Sequence, residues 1–450
     1  MPEEKSYDVI IVGGGVTGTA LLYVLSRHTN IGKIALIEKE NGVAKLNSHV
    51  DNNSHTLHFG DIETNYSLEK ARTVKEAADM VKAYVEMHGQ ALFRKTHKIV
   101  LAVGETEVKE LEERYLMFKE LFPGLRLIGR DEISVIEPNV VSGRDQDEKI
   151  AALLSEDGYA VNFQKLSESF AEESLLTEKE VEVFLAAEVT AIQKDGQYFI
   201  VKVGEQSLRA KVIVVAAGPH SLIFAKKLGY GLEYGLLPVA GSFYSAGSLL
   251  NGKVYTMQIK GIPFAAVHGD PAVNNPSETR FGPTAKVLPL LERKNYGTFT
   301  DFIRTSAITV NGVLSLLKII SNRVIFRYFL KNILYDLPIL GRWVFLQEVR
   351  KIVPSMKYGD IRIAKGIGGI RPQLVDTRAK KMEMGEAKIV GDNIIFNITP
   401  SPGASVCLKT AEIDARTVVK FLGSEFSFDA VKFRKDLRLD VDLSVQPAQK

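Results

Sequence analysis

The chain has a single cysteine, Cys407, in 450 residues. That excludes an intramolecular disulfide and a cysteine-rich metal site, and it suits a reducing compartment. Net charge is also scarce: 57 basic residues stand against 54 acidic ones, leaving +3. A nucleic-acid binder carries a stronger basic bias, so no nucleic-acid partner is expected. Long apolar runs are missing too. Spanning a bilayer takes about 20 apolar residues, and the longest uncharged candidate, Thr305–Leu317, is shorter and contains Ser, Thr and Asn. The start, Met1 to Ser6, carries Glu3 and Glu4 and leads into a short apolar run, unlike a secretory leader. There is no tandem repeat, no GxSxG elbow and no HxxxH pair among the eight histidines, which argues against Ser-His-Asp hydrolysis and a metal centre. What remains is a folded chain, 45% hydrophobic and 25% charged, long enough for two linked domains.

The most informative stretch is at the N-terminus. Val9–Val12 is a continuous apolar run, the pattern of a strand buried on both faces. Gly13-x-Gly15-x-x-Gly18 follows at once, then a helical segment from Thr19 to Ser26, then a second apolar strand, Ile34–Ile37, that ends in Glu38 and Lys39. Gly13 permits the tight turn, Gly15 lets backbone approach a pyrophosphate, and Gly18 lets the helix pack on the strand. The helix N-terminus offers free N–H groups to the phosphates. Glu38, about 20 residues on, is placed to accept from ribose hydroxyls. This constellation binds the ADP half of a dinucleotide and does not by itself separate NAD from FAD.

Two later segments bear on that choice. Val181–Ile192 reads as a bent strand that includes Val189. Val212–Gly218 reads as a buried strand ending in Ala216, Ala217 and Gly218. The nucleotide fold thus resumes only near residue 180, a split that resembles the glutathione-reductase-type FAD domain. Between lies a polar loop, Asn52 to Gly60, with His55 and His58, followed by Ser67-Leu-Glu-Lys-Ala71. In open α/β sheets ligands sit beyond the carboxyl ends of the strands, so this loop is placed to reach a flavin.

Asn53, Ser54, His58, Gly60 and Ser67–Ala71 resemble the D-amino-acid-oxidase-like superfamily, and within it the malate:quinone oxidoreductases and related L-2-hydroxyglutarate oxidases. Pro263–His268 with Phe281–Ala285 looks like that family's substrate-domain strands, Gly368–Gln373 like its carboxylate-binding arginine segment, and Thr399–Ser405 like its second flavin loop. The similarity covers nearly the whole chain. It implies FAD, held by Gly13, Gly15, Gly18, Glu38, Lys39, Asn53, Ser54, Val189, Ala217, Gly218, Pro402, Gly403, Ala404 and Ser405. It also implies oxidation of (S)-malate or a similar 2-hydroxy acid, with electrons passed to a membrane quinone. Such a substrate needs a cation for its carboxylate, a base for its hydroxyl proton and a flavin for its hydride. Arg371 is the first choice for the cation and Arg280 the second. The resemblance favours His268 as the base and His58 as a flavin-side or substrate-polarising group. His55 reads as solvated. Rival readings with the same fold are an L-2-hydroxyglutarate oxidase or dehydrogenase and an amino-acid oxidase. A flavin monooxygenase would carry a Gly-Asp-Ala loop where Pro400–Gly403 stands.

Residues 302–335 contain Arg304, Lys318, Arg323, Arg327 and Lys331 and no acid. Arg323, Arg327 and Lys331 recur at helical spacing beside Leu-, Ile- and Phe-rich positions. The segment 302–350 reads equally as a basic amphipathic membrane-surface element or as an insertion packed on the substrate domain. The first reading puts the protein on the cytoplasmic face of the inner membrane. The expected fold class is α/β. An FAD-binding Rossmann domain (residues 1–75, 150–225 and 360–450) is interleaved with an antiparallel-sheet substrate domain (76–149 and 226–359).

Overall fold

The computed structural model describes residues 5–258, 266–273, 275, 277–306, 312, 314, 317–318, 321–335, 337, 339–382, 387–398 and 403–439. At its centre the strand Ser6–Val12 runs parallel to Lys33–Ile37 on one side and Gln206–Val215 on the other. Glu180–Phe184 extends the sheet beyond Lys33–Ile37, and Ile394–Ile398 extends it beyond Gln206–Val215, both in parallel; Ala387–Gly391 closes one edge antiparallel. Val9, Ile10, Ile11 and Val12 are all buried, which explains an uninterrupted apolar run where a half-exposed strand would alternate.

The two faces of this sheet are covered differently. On one, the buried helix Val16–His28 packs against the helices Cys407–Leu422 and Phe163–Leu175. The helix Leu68–His88 joins the same core through Ala71, Ala78, Val81 and Tyr84. On the other, Val189–Asp195 and Tyr198–Val203 form an antiparallel meander leading into Gln206–Val215, joined by the helix Ser221–Lys227. The bend expected within 181–192 lies between Glu180–Phe184 and Val189–Asp195, where Ala186 takes φ +50°. The doubly covered parallel sheet with a three-stranded meander is the expected FAD-type architecture.

The second unit is built on an eight-stranded sheet. Its order is Arg362–Ile363, Tyr244–Gly247, Glu278–Gly282, His268–Pro271, Lys253–Thr256, Phe93–Val103, Ile150–Val161 and Arg126–Gly129. It is antiparallel except where Lys253–Thr256 meets Phe93–Val103. A four-stranded antiparallel sheet, Lys286–Val287, Tyr234–Ala240, Ile370–Asp376 and Lys381–Met382, lies between the units.

These pairings move the expected boundaries. Ile150–Val161, expected in the nucleotide unit, hydrogen-bonds along Phe93–Val103 in the second sheet. Arg362–Ile363 and Ile370–Asp376 also leave the nucleotide unit, so its last segment begins at Ala387. The helix Leu68–His88 stays with the nucleotide unit well past residue 75, because its apolar stripe faces that core. An apolar strand reads the same in either sheet; only its hydrogen-bond partner decides.

The helix Arg323–Leu334 rests on the small sheet through Phe329, which packs with Leu237, Val239 and Val375. Its Asn332 accepts from Ala285 N at 2.6 Å. Among the described residues no helix is long and apolar enough to cross a membrane.

Candidate active site

The glycine turn is shaped by what a side chain would strike. At Gly13, with φ +111°, a Cβ would lie 2.5 Å from the Ala216 carbonyl oxygen, and at Gly18 it would lie 1.9 Å from that of Gly13. Gly15 differs: a Cβ there would meet only Ser48 Oγ, at 3.6 Å. No protein packing demands glycine at this position. The space in front of it belongs to a cavity of about 860 Å³, and a pyrophosphate at the start of helix Val16–His28 accounts for the missing side chain. The helix N-terminus carries no side-chain cap of its own; Val16 N donates to Ser48 Oγ at 3.0 Å.

The cavity runs from this turn in two directions. Toward the ribose end its wall holds Glu38, Lys39, Val189, Ala217 and Gly218. Glu38 accepts from Gly14 N at 2.6 Å and from Glu40 N at 2.9 Å. Burial raises its carboxyl pKa against the lowering effect of those two donors. Lys39 is ion-paired with Glu292. Glu292 and its neighbours Leu291–Asn295 line this end as well, a contribution from the second unit that sequence reasoning missed. Toward the other end the wall passes Asn53, Ser54 and His58 and reaches Arg371 and Gly403–Ser405. Pro402 lies outside the described residues. Ser405 Oγ accepts from His58 N at 2.9 Å, which ties the two loops together.

The histidines separate sharply. His55 is not solvated: it is fully buried with φ +56°. Its Nδ1 lies 2.8 Å from Arg280 Nη2 and its Nε2 lies 2.6 Å from the Val50 carbonyl. A guanidinium only donates and a carbonyl only accepts, so the network assigns a neutral ring protonated at Nε2. Burial, with Arg280 and Lys253 nearby, drops its pKa to about 3. Arg280 is thereby committed behind His55, with Asp270 Oδ2 at 3.9 Å, and takes no part in the cavity wall. The expectation that it meets a second carboxylate does not match this placement.

His268 begins the strand His268–Pro271; Phe264 and Ala265, expected to precede it in a strand, lie outside the described residues. It is buried against the Tyr255 ring, 4.6 Å between centroids, and is also absent from the wall. Its Nδ1 contacts Ala266 O at 3.2 Å, and its Nε2 has no hydrogen-bond partner among the described residues, with Asp270 Oδ1 3.7 Å away. Burial holds it well below the usual imidazole range. His58, by contrast, lines the cavity and places Nδ1 2.5 Å from Glu63 Oε1. Burial alone would raise the Glu63 carboxyl; the His58 hydrogen bond and charge, with Lys98, outweigh it and hold it below the usual range. Arg114 Nη2 fixes the Glu63 backbone, donating to its carbonyl at 2.5 Å. Glu63 was not singled out from sequence; the only trace is an acid five residues after a histidine in a polar loop.

Arg371 sits in the strand Ile370–Asp376, opposite Val239. It is half-buried, its accessible part lining the cavity, and it makes no hydrogen bond or ion pair with any described residue. Burial lowers its pKa, offset by Tyr328 and Tyr255 close by. Lowered or not, a guanidinium stays charged. One cavity therefore joins a dinucleotide turn to an unpaired cation and a carboxylate-braced imidazole.

Residues 8–404 match the family model described as FAD dependent oxidoreductase. A "probable malate:quinone oxidoreductase" of Campylobacter jejuni is 43% identical, covering 96% of this chain and 99% of that one. A malate:quinone oxidoreductase of Helicobacter pylori is 39% identical over 96% and 98%. The human mitochondrial L-2-hydroxyglutarate dehydrogenase is more distant, 26% identical over 89% and 86%. Among solved structures, an FAD-bound L-alpha-glycerophosphate oxidase of Mycoplasma pneumoniae superposes with TM-score 0.65 at 18% identity, covering 95% of this chain and 97% of that chain.

Replacing Glu38 by Ala removes the acceptor at the ribose end. The expected outcome is weaker FAD binding by roughly 10- to 100-fold, the loss of a charged hydrogen bond, measured by equilibrium release of flavin fluorescence. An unchanged affinity would leave Glu38 as a prop for the turn alone.

Proposed function

This chain belongs to the FAD-dependent oxidoreductases and, within them, to the malate:quinone oxidoreductase family, and we propose that it oxidises (S)-malate to oxaloacetate and delivers the electrons to a membrane quinone. FAD is the cofactor, and the residues fit it: Gly15 leaves room for the pyrophosphate and Glu38 stands at the ribose end. When bound, FAD supplies the acceptor for the substrate's C2 hydride.

The observation that carries this reading is Arg371. It is a cation in the cavity wall that no described residue neutralises, and unlike the unpaired lysines of that wall its fork matches a carboxylate in two hydrogen bonds. His58 takes the role of base in place of His268. With Nδ1 donating to the Glu63 carboxylate, Nε2 keeps a lone pair for the hydroxyl proton, and the carboxylate stabilises the imidazolium that forms. His268 is a poor fit because burial makes it a weak base and sets it behind the wall. Gly403–Ser405 lead into the helix Cys407–Leu422, which has no side-chain cap, so its positive end supports charge near these wall residues. The identity to malate:quinone oxidoreductases favours malate over 2-hydroxyglutarate.

The quinone reading draws support from the helix Arg323–Leu334. It exposes Val324, Phe326, Leu330 and Ile333, each about half accessible, and Ile339 and Trp343 after it are exposed as well. Arg323, Arg327 and Lys331 flank it, with Lys331 paired to Glu348. This is the composition of a helix that lies among lipid headgroups, and such a face brings the flavin close to a quinone dissolved in the bilayer. We place it on the cytoplasmic side of the inner membrane, a reducing setting that suits the lone Cys407.

Arg371→Met is expected to retain flavin and lower kcat/KM for malate by about 10²- to 10³-fold, the usual loss for one partner of a buried charge pair. Arg371→Lys should recover only part, lacking the fork. Wild-type kcat/KM in Arg371→Met contradicts the assignment. For the membrane face, the double variant Arg323→Glu/Arg327→Glu should weaken co-sedimentation with anionic vesicles by about 30-fold or more, given about 1 kcal/mol per basic residue at such a surface. Absence of wild-type binding at low salt would remove the membrane contact.

A further inference from the structure

Behind the large cavity lies a second, much smaller one of about 20 Å³, enough for one water molecule. Its wall includes Lys253, Lys98 and Asp270, and the exposed Arg94 marks where it reaches the surface. Thr56 lines both cavities. The Thr56 hydroxyl is hydrogen-bonded to the ammonium of Lys253 and lies 3.0 Å from Tyr255 OH. Lys253 is buried, and its Nζ also donates to the Ser54 carbonyl at 2.8 Å. A buried lysine spanning two cavities through one hydroxyl is more than the packing of a sheet requires, and the chemistry assigned so far makes no use of it.

We propose that Lys253 relays the proton taken from the substrate hydroxyl out of the large cavity, through Thr56, to the small cavity and the solvent beyond Arg94. The inference rests on reading the large cavity as a 2-hydroxy-acid site. Oxidation breaks the C2–H bond, whose electron pair leaves as hydride, and the O–H bond, whose proton goes to His58. His58 must lose that proton before the next turnover. It passes by way of solvent in the large cavity to the Thr56 oxygen, and the Thr56 hydroxyl proton passes to neutral Lys253. The ammonium so formed releases a proton to the water of the small cavity. One proton reaches solvent for each substrate oxidised, and no further oxidant is needed.

The surroundings of Lys253 suit the task. Asp270 faces it from the neighbouring strand, with Oδ2 at 3.8 Å. Arg280 and Lys98 face it from two other strands and oppose its charge, while Lys98 is itself held by Asp61 at 2.7 Å. Tyr255 lies on its own strand, with the neutral His55 and His268 beside it. Burial, with Arg280 and Lys98, outweighs Asp270 and brings the Lys253 pKa down to about 8, so a neutral fraction is present near physiological pH. The relay accepts a proton only when Lys253 is neutral, and flow through it therefore rises with pH.

The test is steady-state turnover of the holoenzyme with malate and a quinone acceptor, followed from neutral to mildly alkaline pH, because the relay acts between one turnover and the next. The wild type is expected to speed up with pH through a value near that of Lys253. Lys253→Arg keeps the charge opposite Asp270 but does not deprotonate in this range. It should lose the pH-dependent rise and run at least about tenfold slower at the alkaline end. Thr56→Val cuts the hydroxyl bridge without touching the charge, and it should slow turnover by a similar factor while retaining flavin. A wild-type pH profile in Lys253→Arg, or wild-type rates in Thr56→Val, overturns the relay. If 2-hydroxyglutarate bleaches the flavin and malate does not, the malate assignment fails and the same variants decide the relay on 2-hydroxyglutarate. If no 2-hydroxy acid bleaches it, both fall.

Discussion

A guanidinium buried without a counter-ion is costly, because the ion loses water and gains nothing in return. Arg371 is half-buried in the cavity wall with no ion pair to any described residue, so it bears part of that cost. Neighbouring cations have been given partners: Lys98 meets Asp61, Arg280 is turned to His55 and Asp270, and Lys253 is bonded to Thr56 and Ser54. His55 and His268 are held neutral by burial. Arg371 keeps its charge in the cavity wall without an ion pair to any described residue, which is why it is proposed as the group that receives a carboxylate.

The two units contribute unequal halves of this arrangement. The parallel sheet supplies the glycine turn, Glu38 and the Gly403–Ser405 loop; the small sheet between the units supplies Arg371. The bond from His58 N to Ser405 Oγ and the pair between Lys39 and Glu292 join segments far apart in the chain across the cavity. Cofactor binding and inter-unit packing are therefore linked, and ligand that binds only the folded state stabilises both together.

The parts of the fold that could be read from the chain are those specified locally. The Val9–Val12 run, the three glycines and Glu38 lie within one βαβ unit, so their spacing along the chain alone gives the motif. Arg371 was accessible through its Gly-Gly-Ile-Arg-Pro setting and a family resemblance. The rest depends on long-range pairing. Whether Ile150–Val161 belongs to one sheet or the other is decided by Phe93–Val103, some fifty residues earlier. His55 looked solvated in a polar loop because nothing local announces that Arg280 arrives from a distant strand to bury it. A histidine at a strand end and a histidine in a loop likewise look alike in sequence, until Glu63 is seen beside His58 and an apolar enclosure around His268.

Transfer of electrons from malate through this flavin to a quinone is the central claim. The direct measurement is an anaerobic titration of the purified holoenzyme with (S)-malate, watched at the oxidised-flavin absorbance, followed by addition of a quinone. Stoichiometric bleaching by malate and full recovery on quinone addition are predicted. An oxidised spectrum that malate leaves unchanged, in a preparation that an amino acid bleaches, would contradict the assignment of Arg371 and His58 to a 2-hydroxy acid.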